Sequence, residues 1–108
     1  MNRLAQIQSF LADSPQDPFL HFALAKEYEK SGDIEKALTQ YLYLTENHAN
    51  YVGTYYHLGK LYEVKQDFSA AFFMYKKGME IAKAQGEQHA FNELVGAKLN
   101  LGDDEDFV

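Results

Sequence analysis

The chain has 108 residues, of which 46% are hydrophobic and 24% charged, so it is long enough for one domain with a modest core and is not disordered. Its formal net charge of −6 argues against nucleic acid or an anionic membrane surface as the main ligand, because both need a basic face. The absence of cysteine excludes disulfides, thiolate metal sites and a catalytic thiol. Since we find no signal-peptide pattern and no apolar run that could span a bilayer, we expect a soluble cytoplasmic protein.

Helical periodicity begins close to the N-terminus. Four apolar residues recur on one face of a first helix: Leu4, Ile7, Phe10 and Leu11. Pro15 ends this helix, because the residue before a proline is pushed out of the helical region. Pro18 suits the first position of a second helix that extends to about Lys30, with Asp17 as its N-cap.

Further helices follow at regular intervals. Gly32 is predicted to end the second helix in a left-handed conformation, and Asp33 to cap the third. Gln66 and Asp67 mark a second restart, and Gly86 a third. The predicted helices cover residues 34–47, 51–65, 68–85 and 87–101. Their predicted inward faces include Tyr41, Leu58, Phe68, Tyr75 and Leu99. No stretch alternates as a strand does, so the sequence predicts an all-α fold.

The chain repeats itself with a period of 34 residues, since residues 18–51 align with residues 52–85 without a gap. Eight of the aligned pairs are identical: Leu24/Leu58, Lys26/Lys60, Tyr28/Tyr62, Glu29/Glu63, Asp33/Asp67, Ala37/Ala71, Tyr41/Tyr75 and Glu46/Glu80. Chance alone would give about two or three such pairs, so the period indicates a repeat architecture.

The pattern within each repeat resembles the tetratricopeptide repeat (TPR). The pattern is a leucine, a small residue and an aromatic residue on the first helix, followed by a small residue and an aromatic residue on the second. The residues that match it are Leu24, Ala25, Tyr28, Ala37 and Tyr41 in the first repeat, and Leu58, Gly59, Tyr62, Ala71 and Tyr75 in the next. Small side chains allow two helices to cross closely, and the tyrosines fill the wider gaps. The stretch from residue 33 to 63 also resembles small stand-alone bacterial proteins of this kind.

The resemblance implies an all-α, right-handed superhelical stack of antiparallel helix pairs, a TPR-like α-solenoid of about six helices. Residues 1–101 would form a single domain, followed by an acidic tail. Its parts would be a half-unit at 3–17, full units at 18–51 and 52–85, a C-terminal capping helix at 87–101 and the tail at 102–108. We expect the tail to be a frayed, solvated end; the alternative is a short acidic motif offered to a partner or to another copy's groove.

In this family the first helices line a concave groove, so the resemblance predicts the binding residues. They are Phe19, Phe22, Lys26, Glu29 and Lys30 from the first full unit, Tyr56, Lys60, Glu63 and Val64 from the second, and His89 and Asn92 from the last helix. Lys26 and Lys60 would form a ladder flanked by Phe22 and Tyr56, which suits an extended peptide with a carboxylate and a bulky apolar residue. The alternative is that these lysines form ordinary helix pairs with the glutamates three residues later.

A second surface competes with the groove. Leu42, Tyr43 and Phe73 fall on the outer helices where the family usually places polar residues, and they could form a homodimer interface. The alternative is that these residues pack against a terminal helix.

We therefore predict a non-catalytic adaptor that binds a protein or peptide partner in its concave groove, or else a self-associating structural subunit. Nothing in the sequence is arranged for catalysis, a cofactor or a metal, and no two histidines have the spacing of a helical metal motif.

Overall fold

The structure is a computed structural model that describes residues 2–107; Met1 and Val108, the last residue of the predicted tail, lie outside the described range. Six α-helices and one 3₁₀ helix occur within it. They are α1 (Arg3–Asp13), α2 (Pro18–Lys30), α3 (Ile34–Asn47), α4 (Gly53–Val64), α5 (Phe68–Gln85), α6 (Gln88–Leu101) and the 3₁₀ helix (Asp104–Phe107). The predicted all-α class is confirmed, and no strand occurs between residues 2 and 107.

The predicted capping residues fix the ends of the helices. Asp17, Asp33 and Asp67 each accept a hydrogen bond from a backbone N–H in the helix that follows, at 3.0 to 3.2 Å. Gly32 has the predicted left-handed conformation, with φ at 84°. Gln66, one repeat later, has φ at 63°, a region that favours glycine. The second restart thus uses the same turn as the first, but with a side chain in a strained position.

The described chain divides into two compact units, with the boundary between Tyr51 and Val52. The N-terminal unit contains α1, α2 and α3. Helix α2 lies antiparallel to α3, with Phe22 in the first half of one helix in edge contact with Tyr41 in the second half of the other. Ala25 and Ala37 are fully buried, which is consistent with the predicted close crossing of this pair.

The C-terminal unit contains α4, α5, α6 and the 3₁₀ helix. Its core is built around Tyr55, Tyr75 and Leu94. Gly59 lies directly against Tyr75, and a Cβ atom added to it would be 2.2 Å from the ring atom Cε1. Gly78 makes a similar approach, because a Cβ there would be 2.6 Å from Cβ of Tyr55. The predicted close approach of two helices at Gly59 is confirmed, whereas the close approach at Gly78 was not predicted from the sequence.

Three residues that were predicted to face inward are exposed, so the prediction was wrong for Phe10, Phe68 and Leu99. Within the N-terminal unit α1 packs against α2, and its covered stripe passes through Ile7 rather than Phe10. Phe68 is the first residue of α5, and Leu99 lies in the last turn of α6. At these helix ends less of the chain is available to cover a side chain.

The C-terminal tail differs from the frayed end that its composition predicts. Residues Asp104–Phe107 form the 3₁₀ helix, and the ring of Phe107 stacks on that of Phe72 with centroids 4.4 Å apart. Asp104 forms ion pairs with Lys98 at 2.9 Å and Lys76 at 3.7 Å. These contacts fold the described part of the tail back onto α5 and α6.

Candidate functional site

Two tyrosine–glutamate pairs occupy equivalent positions in the two repeats. The Tyr41 hydroxyl donates a hydrogen bond to Oε2 of Glu29, and the Tyr75 hydroxyl donates one to Oε2 of Glu63. Both tyrosines are 0% exposed. Burial, reinforced by the hydrogen bond to the carboxylate, raises the pKa of each phenol well above its ordinary value. Glu29 and Glu63, predicted as binding residues, therefore satisfy buried hydroxyl groups.

A lysine lies over an aromatic ring at the predicted groove position of each repeat. The Nζ atom of Lys26 is 5.7 Å from the ring centroid of Phe22, and that of Lys60 is 5.5 Å from the centroid of Tyr56. Both distances are within the range of a cation–π interaction. Lys60 is also 3.6 Å from Oε2 of Glu63, which is the helix pair that the alternative interpretation predicts. The predicted ladder that joins Lys26 to Lys60 stays a prediction.

The N-terminal unit has a cleft of about 220 Å³ between α1 and α2. Its lining residues are Arg3, Phe19, Phe22, Ala23, Lys26 and Glu27. Phe19 is 58% exposed, and Arg3 pairs with Glu27 at 3.2 Å. Three predicted residues, Phe19, Phe22 and Lys26, thus meet in one place with two apolar rings and a cation. Arg3 and Glu27 were missed, because no sequence pattern links Arg3 on α1 to a position on α2.

The C-terminal unit has a cleft of about 300 Å³ between α4 and α6. Its lining residues are Val52, Gly53, Tyr56, His57, Ala90, Glu93 and Leu94. Tyr56 is the predicted binding residue that lines it. His57 and Glu93 were missed; each lies on the helix predicted to face the groove, next to Tyr56 and Asn92 respectively. The position of these two residues on helices predicted to face the groove is therefore the sequence signal that could have identified them.

The remaining predicted groove residues do not line either cleft. Lys30 and Val64 are exposed near the ends of α2 and α4. His89 lies 3.7 Å from Glu93, and Asn92 accepts a hydrogen bond from Gln88 at 2.9 Å. Glu93 lines the second cleft, whereas the His89 side chain is exposed beside it. For all four residues a role in binding stays a prediction.

The residues of the predicted outer patch have different surroundings. The ring of Tyr43 lies 4.3 Å from that of His21, and its hydroxyl is 3.5 Å from Oε1 of Gln16. Leu42 is half-buried. Phe73 is 51% exposed on α5. Only Phe73 of the three is an exposed large apolar side chain, and Tyr43 packs within its own unit.

Residues 2–107 offer neither a metal-binding cluster nor a membrane span. This part of the chain contains no group of three or more histidine or carboxylate side chains placed to hold a metal ion. None of its helices combines the length and the apolar character that a membrane span needs.

Comparison with solved structures gives a clear relative. A crystal structure of a tetratricopeptide repeat domain protein from Salinibacter ruber is 44% identical, with a TM-score of 0.77, and the match covers 79% of this chain and 94% of that one. The chain belongs to the tetratricopeptide repeat family. A solution NMR structure of a tetratricopeptide repeat domain protein from the same organism is also 44% identical, with a TM-score of 0.77, and the match covers 81% and 88% of the two chains. No protein-family model and no curated protein match the sequence.

Membership of this family gives the observed clefts a context. Tetratricopeptide repeat domains are in general protein-interaction modules and non-catalytic repeat structures. Helices α2 and α4 are the first helices of the two packed pairs α2–α3 and α4–α5. The lysine–aromatic pairs of both repeats lie on these two helices.

Proposed function

We propose that the protein is a cytoplasmic adaptor that binds a peptide segment or partner surface through the clefts beside α2 and α4. The observation that carries the proposal is the repetition of one arrangement, Lys26 over Phe22 and Lys60 over Tyr56. Each lysine presents an ammonium group next to an aromatic face, which suits a ligand with a carboxylate and an apolar side chain.

The neighbouring glutamates support this assignment of roles. Because Glu29 and Glu63 accept hydrogen bonds from buried tyrosines, we assign them to the support of the repeat rather than to the ligand. The exposed ring of Phe19 adds apolar area to the first cleft, and Glu93 adds a carboxylate to the second. The clefts therefore differ in charge, so each would favour a different group of a ligand.

Affinity capture with matched variants tests the proposal. The tagged protein is incubated with native lysate, captured proteins are identified, and binding of the purified partner is measured by titration calorimetry. We expect Lys26→Met with Lys60→Met to weaken binding at least about tenfold, since methionine keeps the packing and removes the charge. The control is the double variant Lys77→Met with Lys83→Met on α5, which removes the same number of positive charges outside the clefts of the proposal. Equal affinity in both double variants would contradict the proposal.

Self-association is the second candidate function, and the exposure of Phe73 favours it. Because Tyr43 packs on His21, such an interface would depend mainly on Phe73. We expect Phe73→Glu to lower the mass in light scattering if the protein is a self-associating subunit. An unchanged mass would remove this candidate and leave the adaptor.

A further inference from the structure

We propose that Phe72, Lys76 and Lys98 form a second docking site, which accepts a short acidic segment of a partner protein carrying an aromatic residue. The chain's own 3₁₀ helix occupies this site and shows the chemistry that it selects. The site lies on α5 and α6 and is separate from the clefts of the proposed function, so it does not depend on that proposal.

The polar half of the site is formed by two lysines from different helices. Asp104 lies between them, with Oδ1 at 2.9 Å from Nζ of Lys98 and Oδ2 at 3.7 Å from Nζ of Lys76. The side chain of Lys98 is only 15% exposed with the tail in place. A single carboxylate thus contacts two cations at once, which selects an acidic residue at this position.

The apolar half of the site is the ring of Phe72. Phe107 stacks on it with centroids 4.4 Å apart and an angle of 15° between the rings. Nζ of Lys98 lies 5.0 Å from the centroid of Phe72, within cation–π range. Because Phe72 is only 2% exposed with the tail in place, removal of the tail uncovers apolar surface that another aromatic side chain can cover.

The segment that occupies the site is held by these two anchors, three residues apart, and by one internal turn. Asp103 donates its backbone N–H to Oδ2 of Asp106 at 2.8 Å, and the N–H of Asp106 donates to the carbonyl of Asp103 at 3.0 Å. Gly102 reverses the chain with φ at 146°, a conformation that favours glycine. Because the anchors are few and close together, a short peptide from another protein can reproduce them.

The tail should act as a built-in competitor for this site. A short flexible linker gives an attached segment an effective concentration of about millimolar. A partner segment must therefore exceed the attached tail in affinity or local concentration before it binds. An acidic ligand is compatible with the chain's net charge of −6, because Lys76 and Lys98 concentrate positive charge at this point.

The test uses a fluorescein-labelled peptide with the sequence of residues 102–108, GDDEDFV, and full-length protein. Asp104→Lys combined with Phe107→Ala releases the tail and leaves all three receptor residues unchanged. We expect saturable binding to this released variant in fluorescence anisotropy, and binding at least about tenfold weaker to the wild type. Adding Lys98→Glu to the released variant should abolish binding. Adding Lys83→Glu on α5 instead makes the same charge change. It should leave the affinity within about twofold, because exposed charges away from the site contribute little.

Two results would overturn the proposal: equal affinity for the wild type and the released variant, or no binding to a released variant whose circular dichroism shows that it is folded. In the second case the tail only caps its own chain. If the released variant fails to fold, ¹⁵N-labelled wild type is titrated with unlabelled peptide. Shifts at the amides of Lys76 and Lys98 would then support the site, and their absence at millimolar peptide would overturn it.

Discussion

The hydroxyl group of Tyr75 donates a hydrogen bond to the carboxylate of Glu63, twelve residues earlier in the chain. The carboxylate also lies 3.6 Å from the ammonium group of Lys60. Tyr75 is fully buried, so its hydroxyl needs a partner inside the protein. Tyr41 and Glu29 repeat the hydrogen bond in the preceding repeat. Part of the predicted binding face is thus made of residues that stabilise the helix pair.

Removal of the Tyr75 hydroxyl should destabilise the protein. We expect Tyr75→Phe to lower the free energy of unfolding by about 1.5 to 3 kcal/mol, the usual contribution of a hydrogen bond to a charged group. Tyr43→Phe is the matched control, because the Tyr43 hydroxyl is exposed and its contact with Gln16 is long, at 3.5 Å. This substitution should cost less than about 0.5 kcal/mol. Urea denaturation measures both; equal losses would contradict the role of the Glu63 pair.

The same hydrogen bonds predict how stability depends on alkaline pH. Burial and the adjacent glutamates raise the pKa of Tyr41 and Tyr75 above the value of 10.0 that each has when unfolded. A raised pKa stabilises the folded state fully below pH 10.0, and this contribution falls as the pH rises above it, because only the unfolded tyrosines ionise. We expect the free energy of unfolding of the wild type to decline above that pH. The decline should be less steep in the double variant Tyr41→Phe with Tyr75→Phe. Parallel pH profiles for the wild type and the double variant would contradict this assignment.

Glycine should be the more stable residue at both left-handed positions of the two restarts, so the two reverse substitutions should have opposite effects on stability. Gln66 has φ at 63°, where a side chain costs about 1 to 2 kcal/mol relative to the right-handed region. We therefore expect Gln66→Gly to raise the free energy of unfolding by about 1 kcal/mol. Gly32 has φ at 84°, and Gly32→Gln should lower it by a similar amount. Thermal denaturation of both variants checks the pair, and a destabilised Gln66→Gly would be the contrary result.

Two helical glycines should also respond differently to alanine. A Cβ at Gly59 would lie 2.2 Å from the Tyr75 ring, so Gly59→Ala should destabilise the protein by about 1 to 3 kcal/mol through overpacking. A Cβ at Gly96 would meet no neighbouring side chain within 4 Å, and this glycine is exposed within α6. Gly96→Ala should therefore stabilise the protein by about 0.5 to 1 kcal/mol through helix propensity. Denaturation curves that shift in the same direction for both would contradict this packing.

The sequence predicted the helices well because their signals are local. Asp17, Asp33 and Asp67 cap helices whose starts can be read within a few residues, and Gly59 marks a crossing that the repeat pattern places. The clefts were predicted only in part. Arg3 reaches its cleft from a different helix, so its position depends on packing that no periodicity encodes.

The tail was the clearest failure of sequence reading, for a physical reason. Four consecutive acidic residues, 103–106, predict a solvated end, because local composition reports the cost of burying charge. The contacts that outweigh this cost are non-local: Lys76 and Lys98 neutralise Asp104, and Phe72 receives the ring of Phe107. Only the folded arrangement of α5 and α6 brings these groups together.

Binding of a partner beside the lysine–aromatic pairs of α2 and α4 can be tested directly with a ¹H–¹⁵N chemical-shift map. The labelled protein is titrated with the captured partner or its minimal peptide. We expect the largest perturbations on residues 19–26 and 53–60, including the amides of Phe22 and Tyr56. Perturbations confined to α3 and to the outer face of α5 around Phe73 would contradict binding at these pairs.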